Sequence, residues 1–284
     1  MSLVVGTNRW RTHNPLLMQQ IQQSLLMVDT AELYGRGTAE RVIGRHLPGC
    51  AVSTKVMPWL WRRPSQLGHY LGRSLARLQR PSAELLYLHF PARHSQNAWL
   101  TAMAREQRAG RLRHIGLSNH TLPQLRSAAE TLRQAGSRIH AVQAELSLLR
   151  PDILHSGLPA FCMANDIQMM AVMVFARGQL LQPAQAANSP VQRVLRDTAQ
   201  RVGASPSQVI LAWVAHHGFV PVVGTTSPEH LREALAYRAL TLPESAIAQL
   251  DHVASAHAQG GLLRRARRRV IERSAKLGRE PGVP

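Results

Sequence analysis

The sequence predicts an α/β chain folded as a (β/α)8 TIM barrel in a single domain. Eight short apolar runs alternate with amphipathic stretches along the chain. The alternation fits in the roughly 250 residues that eight βα units require. Side chains suited to proton chemistry recur at or just past the ends of the runs, where such a barrel gathers its site. A doubly wound sheet, the competing arrangement, usually carries five or six strands.

The runs that read as strands are 3–6, 25–28, 51–54, 85–88, 114–117, 139–142, 169–174 and 219–223. Helical spacing fills the intervals at 15–24, 38–47, 65–78, 97–109, 122–135, 151–165 and 207–217. Asn14-Pro15 and Ser205-Pro206 each set a polar cap before a proline, the favoured start of a helix. Ser227-Pro228 does the same ahead of helices near 228–236 and 243–256. The 179–190 stretch is rich in Gln, Ala and Pro and too long for an ordinary connection, which predicts a loop near the site. Residues 90–96 are predicted to form another wall of it, and no internal repeat is visible.

With 284 residues, 45% of them hydrophobic, the chain can bury a full core. No run approaches the roughly 18 apolar residues of a membrane helix. Residues 1–10 show neither a basic lead nor a cleavage site, so a cytoplasmic location is predicted. Cys50 and Cys162 fit neither a disulfide framework nor a zinc site, and no metal is predicted. Of the formal charge of +18, +12 is dispersed over residues 1–260 and a net +6 lies at the end. There Arg264, Arg265, Arg267, Arg268, Arg269, Arg273, Lys276 and Arg279 face only Glu272 and Glu280. Residues 1–260 are assigned to the barrel and 261–284 to a basic tail, either disordered or covering the pocket. Without aromatic interleaving or a recognition helix, the charge does not predict a nucleic-acid partner.

Among 34 basic residues only Lys55 and Lys276 are lysines, and Lys55 closes an apolar run. An ammonium is compact and responds to burial, whereas guanidinium stays charged and needs more room. Asp29 and His89 follow the second and fourth runs, and Tyr34 lies in the loop after Asp29. At one barrel mouth these four would form a proton-delivering set. A phenol ionises near pH 10, and a neighbouring ammonium favours phenolate. A carboxylate would anchor the ammonium, and the imidazole would orient a substrate.

The stretch from Asp29 through Tyr34-Gly35 to Glu40 and Gly44 resembles the signature of the aldo-keto reductases. Ser53-Thr54-Lys55 is similar to that family's lysine strand, and Tyr87-Leu88-His89 to its histidine strand. Gly116-Leu117-Ser118-Asn119 and Val142-Gln143 resemble the segments that hold a nicotinamide carboxamide. The run from Val223-Gly224-Thr225-Thr226-Ser227-Pro228 to His230 and Glu233 resembles the loop and helix that grip the adenosine phosphate. The resemblance spans about residues 3–253 in the family's order.

The resemblance implies an NADPH-dependent oxidoreductase acting on a small-molecule carbonyl, with NADH also compatible. Tyr34 would protonate the carbonyl oxygen, Lys55 and Asp29 would tune it, and His89 would orient the substrate. Thr7, Asp29, Ser118, Asn119, Gln143, Val172, Gly224, Thr225, Thr226, Ser227, His230 and Glu233 would contact the cofactor. Trp10, Trp59 and Phe90, in mouth loops, would line the substrate pocket. Val172 stands where the family commonly has an aromatic platform, Leu146 replaces another aromatic, and Ala234 an asparagine. Two other readings stay open: reduction of a carbon–nitrogen double bond, or a non-catalytic barrel binding nucleotide and a protein partner. The oligomeric state is left open.

Overall fold

The computed structural model describes residues 3–183 and 189–277, with side chains to residue 260. Eight parallel strands close into a barrel in chain order. They are β1 (Val4–Gly6), β2 (Met27–Asp29), β3 (Val52–Val56), β4 (Ala83–Leu88), β5 (Leu112–Ser118), β6 (Ala141–Glu145), β7 (Gln168–Val172) and β8 (Phe219–Gly224). Closure pairs β8 with β1 and sets Gly6 opposite Gly224 at the rim. Each predicted strand is present, displaced by a few residues. Val174 is buried beyond β7, but Met173 before it turns at φ 60°, which ends the strand at Val172.

Alternation along the strands builds two cores. Val4, Met27, Leu85, Tyr87, Ala141, Met170 and Val222 fill the interior. Their neighbours Leu3, Val5, Val28, Leu86 and Val142 face outward into the layer between sheet and helices. Those helices are α1 (Pro15–Gln23), α2 (Thr38–His46), α3 (Leu67–Leu78), α4 (Gln96–Arg108), α5 (Leu122–Gln134), α6 (Leu158–Ala164), α7 (Pro190–Val202), α8 (Pro206–His216), α9 (Pro228–Leu235) and α10 (Glu244–Leu277). In β3 the same alternation turns Ser53 and Lys55 inward and Thr54 outward. Thr54 donates to the fully buried Glu40 of α2 at 2.7 Å, and Arg77 of α3 donates to the same carboxylate at 2.6 Å.

Three elements differ from the sequence reading. The helix predicted over 151–165 is divided, because Gly157 takes φ 73° and starts α6 afresh after a 3-10 turn, Asp152–His155. The helix α7 was not predicted. It starts at Ser189, whose hydroxyl accepts from Gln192 N while Gln192 returns a bond to the cap. Of the predicted loop 179–190, the 3-10 turn Ala176–Leu181 covers the start and residues 184–188 lie outside the described part. The last helix continues past the predicted 256 to Leu277. Side chains of the basic stretch, and residues 278–284 altogether, lie outside the described residues, as does the question of whether that stretch covers the pocket. No helix of the described residues is long and apolar enough to cross a membrane.

Candidate active site

Parallel closure places every C-terminal strand end on one rim. Asp29 ends β2, Lys55 is one residue from the end of β3, His89 follows β4, Ser118 ends β5, Gln143 lies in β6, Val172 ends β7 and Gly224 ends β8. Hydrogen bonds stitch successive loops around this rim. Glu32 N donates to Lys55 O at 3.4 Å, His89 N to Val56 O at 3.0 Å, and Asn119 N to Gln143 O at 3.0 Å. Asn119 Nδ2 also reaches the His89 carbonyl at 3.1 Å.

At the centre is a buried ion pair. Lys55 Nζ donates to Asp29 Oδ2 at 2.5 Å and to the Thr30 carbonyl at 2.8 Å. The other carboxylate oxygen accepts from Ser53 Oγ at 2.7 Å and from Gln143 Nε2 at 3.2 Å. Burial works against the ammonium's charge, but Asp29, reinforced by the Tyr34 hydroxyl, holds Lys55 above its ordinary value. The lysine is therefore a fixed cation.

Two phenols flank that cation, with Nζ 5.1 Å from the Tyr34 ring centre and 5.8 Å from that of Tyr87. They are not equivalent. Tyr87 is sealed in the barrel interior, and burial together with the Asp29 charge pushes its pKa well up. Tyr34 is half-buried at the head of a 3-10 turn, Tyr34–Gly37, in which Gly35, Arg36 and Gly37 all have positive φ. Its ring meets the His89 ring edge-on, centres 6.2 Å apart. Burial and the Lys55 charge lower His89 to about 3, so the imidazole is neutral at ordinary pH. Its Nδ1 is buried without a partner. A proton on Nδ1 would be a buried donor without a partner, which favours the tautomer protonated on Nε2. Asp29, Tyr34, Lys55 and His89, 60 residues apart in sequence at the extremes, thus meet at one rim.

The other predicted positions fall around this centre. Thr7 is buried, with its hydroxyl donating to Asp29 O at 3.1 Å. Ser118 Oγ accepts from Asn119 Nδ2 at 3.0 Å, and Asn119 itself is exposed at φ 62°. Val172 is half-buried against the inner core. In the loop after β8, Thr225 is buried and its Oγ1 accepts from Ser227 N at 3.1 Å. Ser227 caps α9 by accepting from His230 N at 3.1 Å, and donates to Glu229 at 2.6 Å. Thr226 and His230 are exposed. Glu233 is committed elsewhere: it accepts from Ser205 and Ser207 at 2.6 and 2.5 Å, tying α9 to the start of α8.

The predicted pocket residues separate. Trp10 is 1% exposed and donates from Nε1 to the Thr225 carbonyl at 2.7 Å, so it supports the β8 loop and has no face open to a ligand here. Trp59 is half-buried and stacks on the exposed Trp61, ring centres 5.1 Å apart and planes 6° from parallel. Phe90 is 45% exposed and stacks on His89 at 5.3 Å.

The family model for the aldo/keto reductase family matches residues 9–255. The chain belongs to the aldo/keto reductase family. It is 26% identical over 263 residues to methylglyoxal reductase DkgB of Escherichia coli O157:H7, covering 87% of this chain and 92% of that protein. The thermostable aldo-keto reductase Tm1743, crystallised with the inhibitor epalrestat, superposes with a TM-score of 0.78 at 27% identity, over 88% of this chain and 94% of that one. An aldo/keto reductase from Klebsiella pneumoniae in complex with NADP and acetate superposes at 0.75 with 23% identity, over 89% and 91%, and bears on the fold alone.

This aldo/keto reductase has site residues that sequence reasoning passed over. Ser53 shares the inward face of β3 with Lys55, and its two-residue spacing was a readable signal. Tyr87 pairs in register with Lys55, but a tyrosine within an apolar strand reads as core. Glu32 bridges two loops, and its partners lie 25 and 30 residues away with no motif to announce them. Among the described residues no cluster of three or more His, Cys, Asp or Glu could hold a metal.

Proposed function

We propose that this aldo/keto reductase reduces an aldehyde or ketone to an alcohol, with Tyr34 as proton donor and NADPH as cofactor. The observation that carries this reading is the Lys55 ammonium, pinned by Asp29 and lying 5.1 Å from the ring of the one phenol open to the mouth.

The rim offers a place for a dinucleotide. At Gly224 an added Cβ would meet only Gly6 O, at 3.8 Å, and φ is not positive. Neither packing nor conformation inside the chain demands glycine there, and with Gly6 beside it the strand ends leave a strip free of side chains. Ser118, Asn119 and Gln143 would hold the carboxamide, Thr7 and Val172 would border the ring, and exposed Thr226 and His230 would meet the adenosine phosphate. Bound NADPH would supply a hydride to the carbonyl carbon.

The protein's own work is positioning and proton delivery. His89, neutral with its proton on Nε2, donates to the substrate oxygen and fixes the carbonyl. Tyr34 gives its hydroxyl proton to that oxygen as negative charge develops there. The phenolate left behind is stabilised by Lys55, whose charge is held in place by Asp29. Because these groups are buried or half-buried, their interactions are stronger than in water.

The test is initial-rate NADPH oxidation with methylglyoxal, aromatic aldehydes, ketones and cyclic imines. Turnover of aldehydes or ketones is the expected result. Turnover of imines alone would move the reading to carbon–nitrogen reduction, and NADPH binding without turnover of any substrate would overturn it.

A further inference from the structure

We propose that Glu32 and Arg62 are specificity-determining positioning residues, which clamp the Trp59–Trp61 stack as a substrate wall selecting carbonyl compounds that carry a flat apolar ring. This deepens the proposed carbonyl reduction and rests on it.

An exposed tryptophan needs a reason to stay ordered. Trp61 is 75% exposed and Leu60 66%, both in the loop after β3, yet Trp61 lies nearly parallel to Trp59. The indole–indole contact alone cannot fix a loop against its conformational entropy. The ordering comes from a polar clamp beneath it. Glu32 Oε1 accepts from Met57 N at 2.8 Å and from Arg62 Nη1 at 2.5 Å. The same Arg62 nitrogen donates to the Met57 carbonyl at 3.3 Å, and Arg62 N closes the turn onto Trp59 O at 2.9 Å. The guanidinium also lies 4.5 Å from the Tyr70 ring centre, and Tyr70 stacks on the buried Trp99. Both ends of the Trp59–Trp61 segment are therefore fastened. With Glu32 9% and Arg62 20% exposed, this pair is less screened than a surface pair.

The position of the clamp gives it a functional meaning. Glu32 lies two residues before Tyr34, and its backbone N–H reaches Lys55 O. Met57 follows Val56, whose carbonyl accepts from His89 N. One carboxylate thus ties the loop of the proton donor to the loop of the two indoles, beside the strand end that orients His89. On the next loop Phe90 stacks on His89. Two stacked aromatic pairs consequently rise from adjacent strand ends, a setting for a planar ring rather than for a small polar carbonyl.

Glu32→Gln keeps the side chain's shape and an acceptor for Met57 N but removes the ion pair with Arg62. Arg62→Met removes the same pair from the other side. The aromatic near-UV circular dichroism that disappears in Trp61→Leu reports the stack. In both clamp variants that same signal is expected to disappear. KM for benzaldehyde should rise roughly tenfold, the size of one aromatic contact. KM for methylglyoxal, which has no ring, should stay within about twofold, so that the loss tracks the ring and not the carbonyl. Retention of the near-UV signal, or an equal KM rise for both aldehydes, would overturn the assignment. If the wild-type protein reduced no aldehyde or ketone of the panel, the proposed function would fall, and the near-UV signal would still decide whether the clamp holds the stack.

Discussion

Lys55 and Asp29 form an ion pair of 2.5 Å in which neither side chain is more than 3% exposed. Burying two charges costs several kcal/mol each, and their attraction barely repays it, so such a pair adds little net stability. Its structural meaning lies in the penalty for breaking it.

Asp29→Asn should lower unfolding stability by about 3–5 kcal/mol, because the ammonium would be left buried without its counter-ion. Urea unfolding measures this. Removing both charges in Asp29→Leu with Lys55→Met should recover most of the loss, while leaving the protein inactive.

Stability should fall with acidity below about pH 6.5. His89 is lowered to about 3, by burial and then by Lys55, and His120 to about 4 by burial, in spite of its Nδ1 donating to Ser118 O at 2.8 Å. Unfolded imidazoles take up protons near pH 6.5, whereas the folded ones resist until about 3 and 4. Between those values the unfolded state binds more protons, so stability rises with pH through the window and levels off above it. Urea midpoints from pH 8 down to 4.5 should be flat at first and then decline. His120→Gln should flatten the decline by up to about 1.4 kcal/mol per pH unit. A decline that begins only near pH 4 would point to carboxylates instead.

Gly224→Ala separates folding from ligand binding. With only Gly6 O within reach of the new methyl, at 3.8 Å, the unfolding free energy should stay within about 0.5 kcal/mol of wild type, as for surface changes generally. NADPH affinity, read by fluorescence titration, should fall about tenfold or more if the cofactor lies on the bare strip, since a methyl there forces the ligand away.

Much of the barrel could be read from period. Strands such as Leu85-Leu86-Tyr87-Leu88 are apolar on both faces because one fills the barrel and the other meets helices, and that continuous apolarity marks them. Lys55 was legible for the opposite reason: a charge at the end of such a run has no place in a core without a partner. The missed helix α7 carries Ser189-Pro190 with Gln192, the same cap pattern that located α8. Its signal was present, but the Gln- and Ala-rich stretch before it obscured the boundary. The break at Gly157 was harder to see, because glycine is tolerated within helices and only its backbone angle reveals a new start. Trp10 and Glu32 were illegible for a common physical cause. Whether a loop side chain turns inward to a carbonyl or outward to a ligand depends on partners far along the chain. For Trp10 that partner is Thr225, 215 residues away.

The most direct test of the central claim compares the two phenols beside Lys55. In Tyr34→Phe, turnover of an aldehyde that the wild type reduces should drop by about 10²–10⁴-fold, the usual worth of a positioned proton donor, with NADPH affinity kept. In Tyr87→Phe, turnover should stay within a few-fold of wild type. Undiminished reduction by Tyr34→Phe, or a larger loss in Tyr87→Phe, would contradict the assignment of Tyr34 as the group that delivers the proton.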